Sequence, residues 1–262
     1  VSTPYGDPSS DLILGKISNV PVAIISRHGE GHAINPTNVN YRANIWCLKD
    51  QGCSHILATT ACGSLRVEIK PGDFVFPDQF IDRTVHRPRT FFDDAAVHVE
   101  FAQPSCPIMR GWLIEAAERI PDLTVHPRGT YVCMEGPQFS TLAESKLYRA
   151  WGMDVIGMTN LQEAKLAREA EICYTTLALV TDYDCWHESH DDVTVEMIIE
   201  ILNQNAAAAQ RVVAEMVARL PVDRSCECAN ALGSAIITRP DLIPASVKRD
   251  LAPIIGKYIQ LT

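Results

Sequence analysis

The sequence lacks any long apolar run and any excess of positive charge. No hydrophobic stretch approaches the roughly 20 residues that a membrane-spanning helix needs, and the first residues do not resemble a signal peptide. Lys and Arg total 23 against 32 Asp and Glu, a formal net charge of −9, whereas a nucleic-acid surface requires a basic patch. We therefore expect a cytoplasmic protein that binds neither membranes nor nucleic acid.

Several common nucleotide-binding and catalytic motifs are also missing. The sequence contains no Gly-x-Gly-x-x-Gly, no Walker loop and no Gly-x-Ser-x-Gly nucleophile elbow. It also lacks the Ser/Gly-rich or strongly charged stretch that is typical of a linker. For a chain of 262 residues, 47% of them hydrophobic, these absences predict a single α/β domain over residues 1–262 that uses no nucleotide cofactor.

The nine cysteines are many for a cytoplasmic enzyme. Most stand singly in apolar segments, where a buried thiol behaves as a small hydrophobe. Cys226 and Cys228 form a Cys-Glu-Cys run, but no second pair of Cys or His ligands lies at a spacing typical of zinc sites, so we predict no metal. We favour two free thiols in a C-terminal loop; the alternative is a disulfide, within the pair or to another cysteine.

Apolar, β-branched runs alternate with helix-like segments along the chain. This alternation predicts a largely parallel or mixed sheet covered by helices on both faces. In such folds the ligand binds beyond the carboxyl ends of the strands, so the segments that follow strands are the candidate site. The predicted strands are 20–25, 55–60, 73–80, 129–134, 154–158 and 172–181, and the predicted helices are 41–50, 108–119, 143–151, 161–170 and 193–220.

Two segments that follow predicted strands carry groups suited to an anion. Arg27 and His28 lie just before two glycines, and the bidentate fork of a guanidinium suits an oxyanion such as phosphate. Residues 61–64 are predicted to form a small-residue turn that can cradle an anion or let a flat ring lie against the backbone. The alternatives are a surface Arg-His pair and a tight strand-to-helix connection.

Asp182 and Asp184 end a strand of otherwise apolar residues. Alternation along the strand predicts that both carboxylates project from the same face, where their repulsion raises one pKa. A carboxyl group with a raised pKa can donate a proton to a leaving group. The alternatives are an Asx-rich turn that closes the strand, or a metal site completed by His187 or His190.

Eight motifs follow one another in order over most of residues 1–220. They are S-R-H-G-E-G-H (26–32), N-Y-R-A-N-I-W (40–46), T-T-A-C-G-S-L (59–65), K-P-G-D (70–73), D-Q-F-I-D-R-T (78–84), M-E-G-P-Q-F-S (134–140), G-M-T-N-L-Q-E-A (157–164) and T-D-Y-D-C-W (181–186). Taken together they resemble the trimeric purine nucleoside phosphorylase family, and most closely its 5′-methylthioadenosine phosphorylase branch.

The resemblance implies a fold, an assembly and a reaction. The expected fold is one α/β domain around a mixed sheet bent toward a barrel, assembled as a homotrimer or a dimer of trimers. Phosphate attacks the anomeric carbon of a nucleoside while the purine leaves, through an oxocarbenium-like transition state. The enzyme must then place an anion beneath the sugar and help the base to carry away negative charge. Inorganic phosphate is a co-substrate, and no cofactor is expected.

The resemblance also implies a role for each matching residue. Met158 resembles the residue that packs under the ribose, and Phe139 the aromatic residue that stacks on the purine, with Cys62 and Gly63 on its other side. Asp182 resembles the group that protonates N7 of the leaving base, and Asp184 the acceptor for the 6-amino group. The phosphate-binding residues by this resemblance are Arg27, His28, Thr60, Ala61 and Thr159.

Two features indicate the substrate. A carboxylate at Asp184 accepts a hydrogen bond, so it suits an exocyclic amine and disfavours a 6-oxo group. The resemblance places Val195, Ile198 and Ile199 against the 5′ substituent and brings His98 from a neighbouring subunit. An apolar lining favours a thioether over a hydroxyl, because a buried hydroxyl without a partner is costly. The alternative is that Val195, Ile198 and Ile199 form an apolar stripe of the helix that only packs in the core.

The family normally begins with a strand and a Gly-Gly-Thr/Ser-Gly turn that binds phosphate, whereas this sequence starts after that point, at Val1. Either a segment precedes Val1 in the whole protein, or the protein lacks a central strand and part of its phosphate site. We favour the first, because loss of such a strand would expose sheet edges and core.

Three other functions stay open at this point. One is a hydrolytic nucleosidase, although an Arg-His anion site has no use for water. The second is a purine-binding protein without catalysis, and the third is a nucleoside phosphorylase of broader adenosine or 6-oxopurine specificity.

Overall fold

The computed structural model describes residues 2–187, 195–221 and 224–260. Strands and helices alternate along the chain, as the hydrophobic pattern predicts. The strands are β1 (Ile13–Ile17), β2 (Val20–Ile24), β3 (His55–Ser64), β4 (Phe74–Val75), β5 (Gln79–Arg83), β6 (Val125–His126), β7 (Thr130–Met134), β8 (Val155–Gly157) and β9 (Cys173–Asp182). The helices are α1 (Tyr41–Asp50), α2 (Pro107–Ala117), α3 (Leu142–Ala150), α4 (Asn160–Glu169), α5 (Val195–Val217), α6 (Ala245–Asp250) and α7 (Ala252–Ile255).

Seven strands form one mixed sheet in the order β5-β7-β8-β3-β9-β4-β6. The predicted mixed sheet flanked by helices is therefore confirmed. β3 and β9 run parallel at its centre, paired from His55 with Cys173 to Gly63 with Asp182, so that their carboxyl ends meet at one edge. β1 and β2 form a separate antiparallel hairpin, so the predicted strand at 20–25 exists but lies outside the main sheet.

Two element predictions are wrong. The expected turn at 61–64 is the end of the ten-residue strand β3, where Gly63 and Ser64 also pair with β8. Within the predicted turn, the pairing of β3 with β9 has only a register irregularity, between Cys62 and Gly63. The predicted strand at 73–80 is interrupted at Pro77, which has no N–H for a ladder hydrogen bond, and it divides into β4 and β5.

Helix starts follow local side-chain chemistry. Thr141 and Glu144 form a capping box at the start of α3, in which the Thr141 hydroxyl accepts from Glu144 N and the carboxylate accepts from Thr141 N at 2.8 Å. The Asn40 side chain caps α1, which spans the predicted residues 41–50. Of the helices in the described ranges, none combines the length and apolarity that crossing a membrane requires.

The C-terminal segment, residues 224–260, packs into the same core as the preceding chain. Ile254, Ile255 and Ile259 are buried in one cluster with residues of α1 and α4. Trp46 of α1 also donates a hydrogen bond from Nε1 to the carbonyl of Asp250 at 2.8 Å. Burial of this apolar surface stabilises the attachment of the segment to the rest of the molecule.

Candidate active site

The predicted anion-binding end of the candidate site combines the segment after β2, the middle of β3 and the start of α4. Arg27 forms a two-point ion pair with Glu163 on α4, with a distance of 3.0 Å between Nη2 and Oε2, and donates from Nη1 to the Thr59 carbonyl at 3.1 Å. Although burial disfavours its charge, the pairing with Glu163 holds the pKa of Arg27 above its usual range. Arg27 is therefore a fixed, permanent cation.

His28 lies beside this cation. Its Nδ1 is 2.8 Å from the Ile34 carbonyl oxygen, and its ring stacks on His32 with centroids 4.2 Å apart. Burial lowers the pKa of His28, and the nearby charges of His32 and Arg27 act in the same direction. The imidazole is thus neutral near pH 7, with Nδ1 donating to Ile34 and Nε2 left for a ligand.

The N-terminus of α4 contributes a second source of positive potential. Thr159 is the N-cap residue and is buried, and its side chain does not cap the helix. Its Oγ1 lies 3.2 Å from Asn160 Oδ1 instead. The first N–H groups of α4 are therefore left without a side-chain cap, which suits an anion at a helix N-terminus.

Thr60 and Ala61 lie on β3 between the anion-binding end and the acidic pair. Both are half-buried, and Thr60 Oγ1 donates to the Ala61 carbonyl at 3.0 Å. A groove of about 1210 Å³ is lined by the β1–β2 hairpin, α1, the first half of β3 and the end of α5, and Arg27, His28 and Glu163 are among its lining residues. Thr60, Ala61, Asp182 and Asp184 do not line this groove.

Asp182 is the last residue of β9 and is buried. Its Oδ2 accepts a hydrogen bond from the Thr181 hydroxyl at 2.6 Å, and its Oδ1 accepts from Asp184 N at 2.7 Å. These hydrogen bonds favour the charged form, but burial outweighs them and raises the pKa of Asp182. The carboxyl group is consequently a weaker acid than an exposed aspartate.

Asp184 lies beyond the strand, with a left-handed backbone at φ 50°. The prediction that strand alternation places both carboxylates on one face is therefore wrong, and the hydrogen bond from Asp184 N forms the alternative, an Asx turn. The two groups are nevertheless buried together, and burial, followed by the charge of Asp182, raises the pKa of Asp184. Its Oδ2 has no hydrogen-bond partner in the described part of the chain.

Two glycines permit close approaches around the acidic pair. A Cβ on Gly63 would lie 2.7 Å from Asp182 Oδ1, and a Cβ on Gly136 would lie 2.5 Å from Met158 Sδ. Gly136 therefore lets Met158 pack against the loop that follows β7. Phe139 lies on that loop with 45% of its surface exposed. Cys62, on β3, is buried with its Sγ 3.6 Å from the Leu179 carbonyl oxygen.

Arg87 is a site-supporting residue that sequence reasoning missed. Its guanidinium is fully buried and donates from Nε to Glu135 at 3.1 Å and from Nη1 to Gln162 Oε1 at 3.1 Å. It also donates to the carbonyl oxygens of Met158 and Glu135. The side chain thus fixes the backbone on both sides of the Met158–Gly136 contact. Its isolated H-R-P-R context gave no signal, because its partners are distant in sequence.

The residues predicted for the 5′ pocket are not brought to the acidic pair by any contact within residues 2–187, 195–221 and 224–260. His98 is exposed, and its N–H donates to the Ala235 carbonyl at 2.9 Å. Val195 and Ile199, at the start of α5, are 56% and 51% exposed, and Ile198 is half-buried. Against the described residues, Val195 and Ile199 therefore do not pack in the core.

The metal alternative at the acidic pair gains no support from the structure. His187 stacks on Tyr183, with ring centroids 4.6 Å apart. In the described ranges the acidic pair belongs to no group of three or more clustered His, Cys, Asp or Glu ligands. His190 lies outside the described residues.

Comparison with known proteins identifies the family. The family model of the phosphorylase superfamily matches residues 1–218. S-methyl-5′-thioadenosine phosphorylase of Koribacter versatilis is 54% identical, covering 98% of this chain and 88% of its own. The Geobacter sulfurreducens protein of the same name is 53% identical, with 99% and 91% covered.

Solved structures give the same result. A methylthioadenosine phosphorylase from an antarctic soil metagenomic library superposes with a TM-score of 0.92 at 47% identity, covering 97% of this chain and 90% of its own. Methylthioadenosine phosphorylase from Schistosoma mansoni in complex with adenine gives 0.86 at 37% identity, covering 90% and 91%. By its sequence and its fold, the chain belongs to the phosphorylase superfamily.

Proposed function

We propose that this protein phosphorolyses 5′-methylthioadenosine to adenine and 5-methylthioribose 1-phosphate. The observation that carries the proposal is the buried acidic pair, Asp182 and Asp184, at the edge of the sheet where β3 also ends. Relatives about half identical over nearly the whole chain are S-methyl-5′-thioadenosine phosphorylases. A related Schistosoma mansoni phosphorylase has been solved in complex with methylthioadenosine.

Phosphate occupies the anion-binding end in this proposal. The charge of Arg27 and the N-terminus of α4 attract it, and one phosphate oxygen is held beneath the sugar. That oxygen forms a bond to C1′ as the bond between C1′ and N9 of the purine breaks. Met158, packed against Gly136, lies under the ribose. The phosphate-binding residues in the proposal are Arg27, His28, Thr60, Ala61 and Thr159.

The acidic pair serves the leaving base. Burial raises the pKa of Asp182, so its carboxyl group can hold the proton that N7 receives as negative charge develops on the purine. The unpartnered Oδ2 of Asp184 accepts the hydrogen bond from the 6-amino group. Phe139 stacks on one face of the purine, and Cys62 and Gly63 line the other.

The distance along β3 fits a phosphate site at one end and a base site at the other. Thr59, whose carbonyl contacts Arg27, and Gly63, which touches Asp182, are four residues apart on one strand. At about 3.3 Å per residue this is about 13 Å, which separates an anion at one end from a base at the other. Sugar and base therefore lie in series along the strand.

The 5′ substituent completes the proposal. Val195, Ile198 and Ile199 offer apolar surface to the methylthio group, and His98 comes from a neighbouring subunit of a homotrimer or a dimer of trimers. The exposure of Val195 and Ile199 supports a surface that is covered by ligand or subunit. Residues 1–262 act as one domain, inorganic phosphate is the co-substrate and no cofactor is required.

Substrate comparison tests the proposal. Base release is measured with methylthioadenosine, adenosine and methylthioinosine, for the wild type and for Asp184→Asn. Asparagine tolerates the left-handed backbone at this position, so the change tests hydrogen bonding and not backbone strain. We expect the wild type to prefer methylthioadenosine and the variant to shift toward methylthioinosine by about tenfold or more.

Two results would count against the proposal. An unchanged preference in Asp184→Asn would remove the role of Asp184. The absence of base release from all three nucleosides would contradict the reaction itself.

A further inference from the structure

Four cysteines from three distant parts of the chain meet in the folded molecule. Cys106 precedes α2, Cys173 is the first residue of β9, and Cys226 and Cys228 belong to the C-terminal segment. Their Sγ atoms all lie within 4.8 Å of one another. The sequence offered no second pair of ligands for Cys226 and Cys228, because Cys106 and Cys173 are far apart in the chain. The fold supplies that pair.

The spacing of the four sulfurs fits one metal ion. In a tetrahedral tetrathiolate zinc site each sulfur lies about 2.3 Å from the ion, so the sulfurs lie about 3.8 Å from one another. Here each sulfur lies within 4.8 Å of the other three. All nine cysteines of the chain are free thiols. Cys106, Cys173 and Cys228 are buried and Cys226 is half-buried, so the cluster leaves little access for a substrate.

The backbone holds two of these cysteines in place. Cys106 N–H donates to the Tyr174 carbonyl at 2.8 Å, and Cys173 N–H donates to the Ser54 carbonyl at 3.0 Å. Cys106 Sγ also accepts from Met109 N at 3.5 Å at the N-terminus of α2. An N–H···S hydrogen bond and the positive end of a helix both favour a thiolate, as the outer partners of metal ligands do.

The charge around the cluster is also favourable. Four thiolates and one divalent cation carry a net charge of −2, which needs a positive neighbour. Arg168, in the last turn of α4, lies five residues before Cys173. Arg224, two residues before Cys226, donates to the Glu171 carbonyl at 2.6 Å, on the turn just before Cys173. Arg224 is therefore close in sequence to Cys226, and Arg168 lies on the helix that precedes Cys173.

We propose that Cys106, Cys173, Cys226 and Cys228 bind one Zn²⁺ ion as a closed structural site. Each thiol gives up one proton as it binds, so that one Zn²⁺ replaces four protons without any change in oxidation state. All four positions are filled by protein, which leaves none for a substrate. The ion joins the C-terminal segment to α2 and β9, and the inference does not depend on the proposed reaction.

Metal content tests the inference directly. The full chain, purified under reducing conditions without chelator, should contain about one equivalent of zinc by inductively coupled plasma mass spectrometry. A mercurial reagent that titrates thiols should release that zinc from the unmodified protein. The double variant Cys226→Ser/Cys228→Ser should retain less than about a tenth of it. Cys53→Ser, which removes a half-buried thiol outside the cluster, should retain all of it.

Cobalt gives an independent readout that needs no variant. Protein refolded with Co²⁺ in place of Zn²⁺ should show the intense visible bands of a tetrahedral thiolate complex, and these should be lost when Zn²⁺ is added. Three results would overturn the inference. They are disulfides among these four cysteines in the purified protein with no bound metal, no uptake of zinc by the reduced protein, and a full equivalent of zinc in the double variant.

Discussion

At the scale of single residues, burial decides which carboxyl groups can act as acids. Asp182 accepts two hydrogen bonds that favour its charged form, yet its pKa is raised, because loss of solvent is the larger effect. The sequence suggested repulsion between Asp182 and Asp184 as the cause. In the structure, burial is the larger cause of the raised pKa of Asp184, and the charge of Asp182 is a smaller one.

Removing the titratable proton of Asp182 should slow the reaction without loss of the fold. Asp182→Asn keeps the size of the side chain but cannot protonate N7, so we expect kcat for adenine release to fall by about 10²- to 10⁴-fold. The apparent KM for phosphate should change little, because Asp182 lies away from Arg27. Asp241→Asn, which changes an exposed carboxylate, is the control. Wild-type kcat in Asp182→Asn would contradict the assignment.

Arg87 should matter for stability more than an exposed arginine does. Arg87→Lys keeps the charge but loses the fork that binds Glu135, Gln162 and two carbonyl groups, so buried acceptors lose their donors. We expect the free energy of unfolding to fall by about 1–3 kcal/mol in denaturant titrations, because buried acceptors are left without donors. Arg239→Lys, at an exposed ion pair, should change it by less than about 0.5 kcal/mol. Equal effects would show that the buried network adds no stability.

At the scale of elements, the approach of β3 to β9 needs a residue without a side chain at Gly63. In Gly63→Ala the new Cβ would lie 2.7 Å from Asp182 Oδ1 and 3.2 Å from Ile156 Cγ2, so the carboxyl group must move. A misplacement of about 1 Å costs about 10²-fold in rate, and we expect a loss of that order in kcat/KM.

The matched control for this change is Gly111→Ala. Gly111 lies inside α2, where an added Cβ meets nothing within 4 Å, and alanine there should leave activity unchanged. Full activity in Gly63→Ala would mean that the position of Asp182 is not critical. Circular dichroism separates a local displacement from loss of the fold.

The elements also show what sequence patterns can predict. Helix 41–50 was predicted to the residue from its apolar residues, and the structure adds the Asn40 side chain that caps it. The end of β3 was mistaken for a turn, because small residues such as Gly63 are typical of turns. In the structure Gly63 leaves space for the carboxyl group of Asp182. This contact joins two distant parts of the chain, so the sequence pattern does not reveal it.

From the residues alone, sequence reasoning could propose site residues only where they follow strands, as Arg27 and Asp182 do, and their roles stay predictions. The pairing of Arg27 with Glu163 joins residues 136 positions apart and left no local signal. The meeting of Cys106 with Cys228 escaped for the same reason.

At the scale of the whole molecule, buried acids with raised pKa values link stability to pH. Burial raises the pKa of Glu169 to about 7, although Phe91 N and the Thr90 hydroxyl donate to its carboxylate. Between its unfolded pKa of 4.5 and pH 7 the folded protein binds more protons than the unfolded chain. Its stability should therefore fall as pH rises through this window, by about 3 kcal/mol from this group.

Denaturant titrations at pH 5 and pH 7.5 check this expectation. Glu169→Gln cannot titrate and should show a smaller decrease than the wild type between the two values. The exposed pair at Asp241 provides the control variant, Asp241→Asn, which should keep the wild-type dependence. If Glu169→Gln keeps the wild-type dependence as well, Glu169 does not titrate in this window.

The most direct test of the central claim is adenine release from 5′-methylthioadenosine with and without inorganic phosphate. The proposed site binds phosphate through Arg27 and the start of α4, and it has no other assigned nucleophile. We expect release that requires phosphate and yields one equivalent of 5-methylthioribose 1-phosphate for each adenine. Adenine release at an unchanged rate in phosphate-free buffer, with free 5-methylthioribose as the product, would contradict the account.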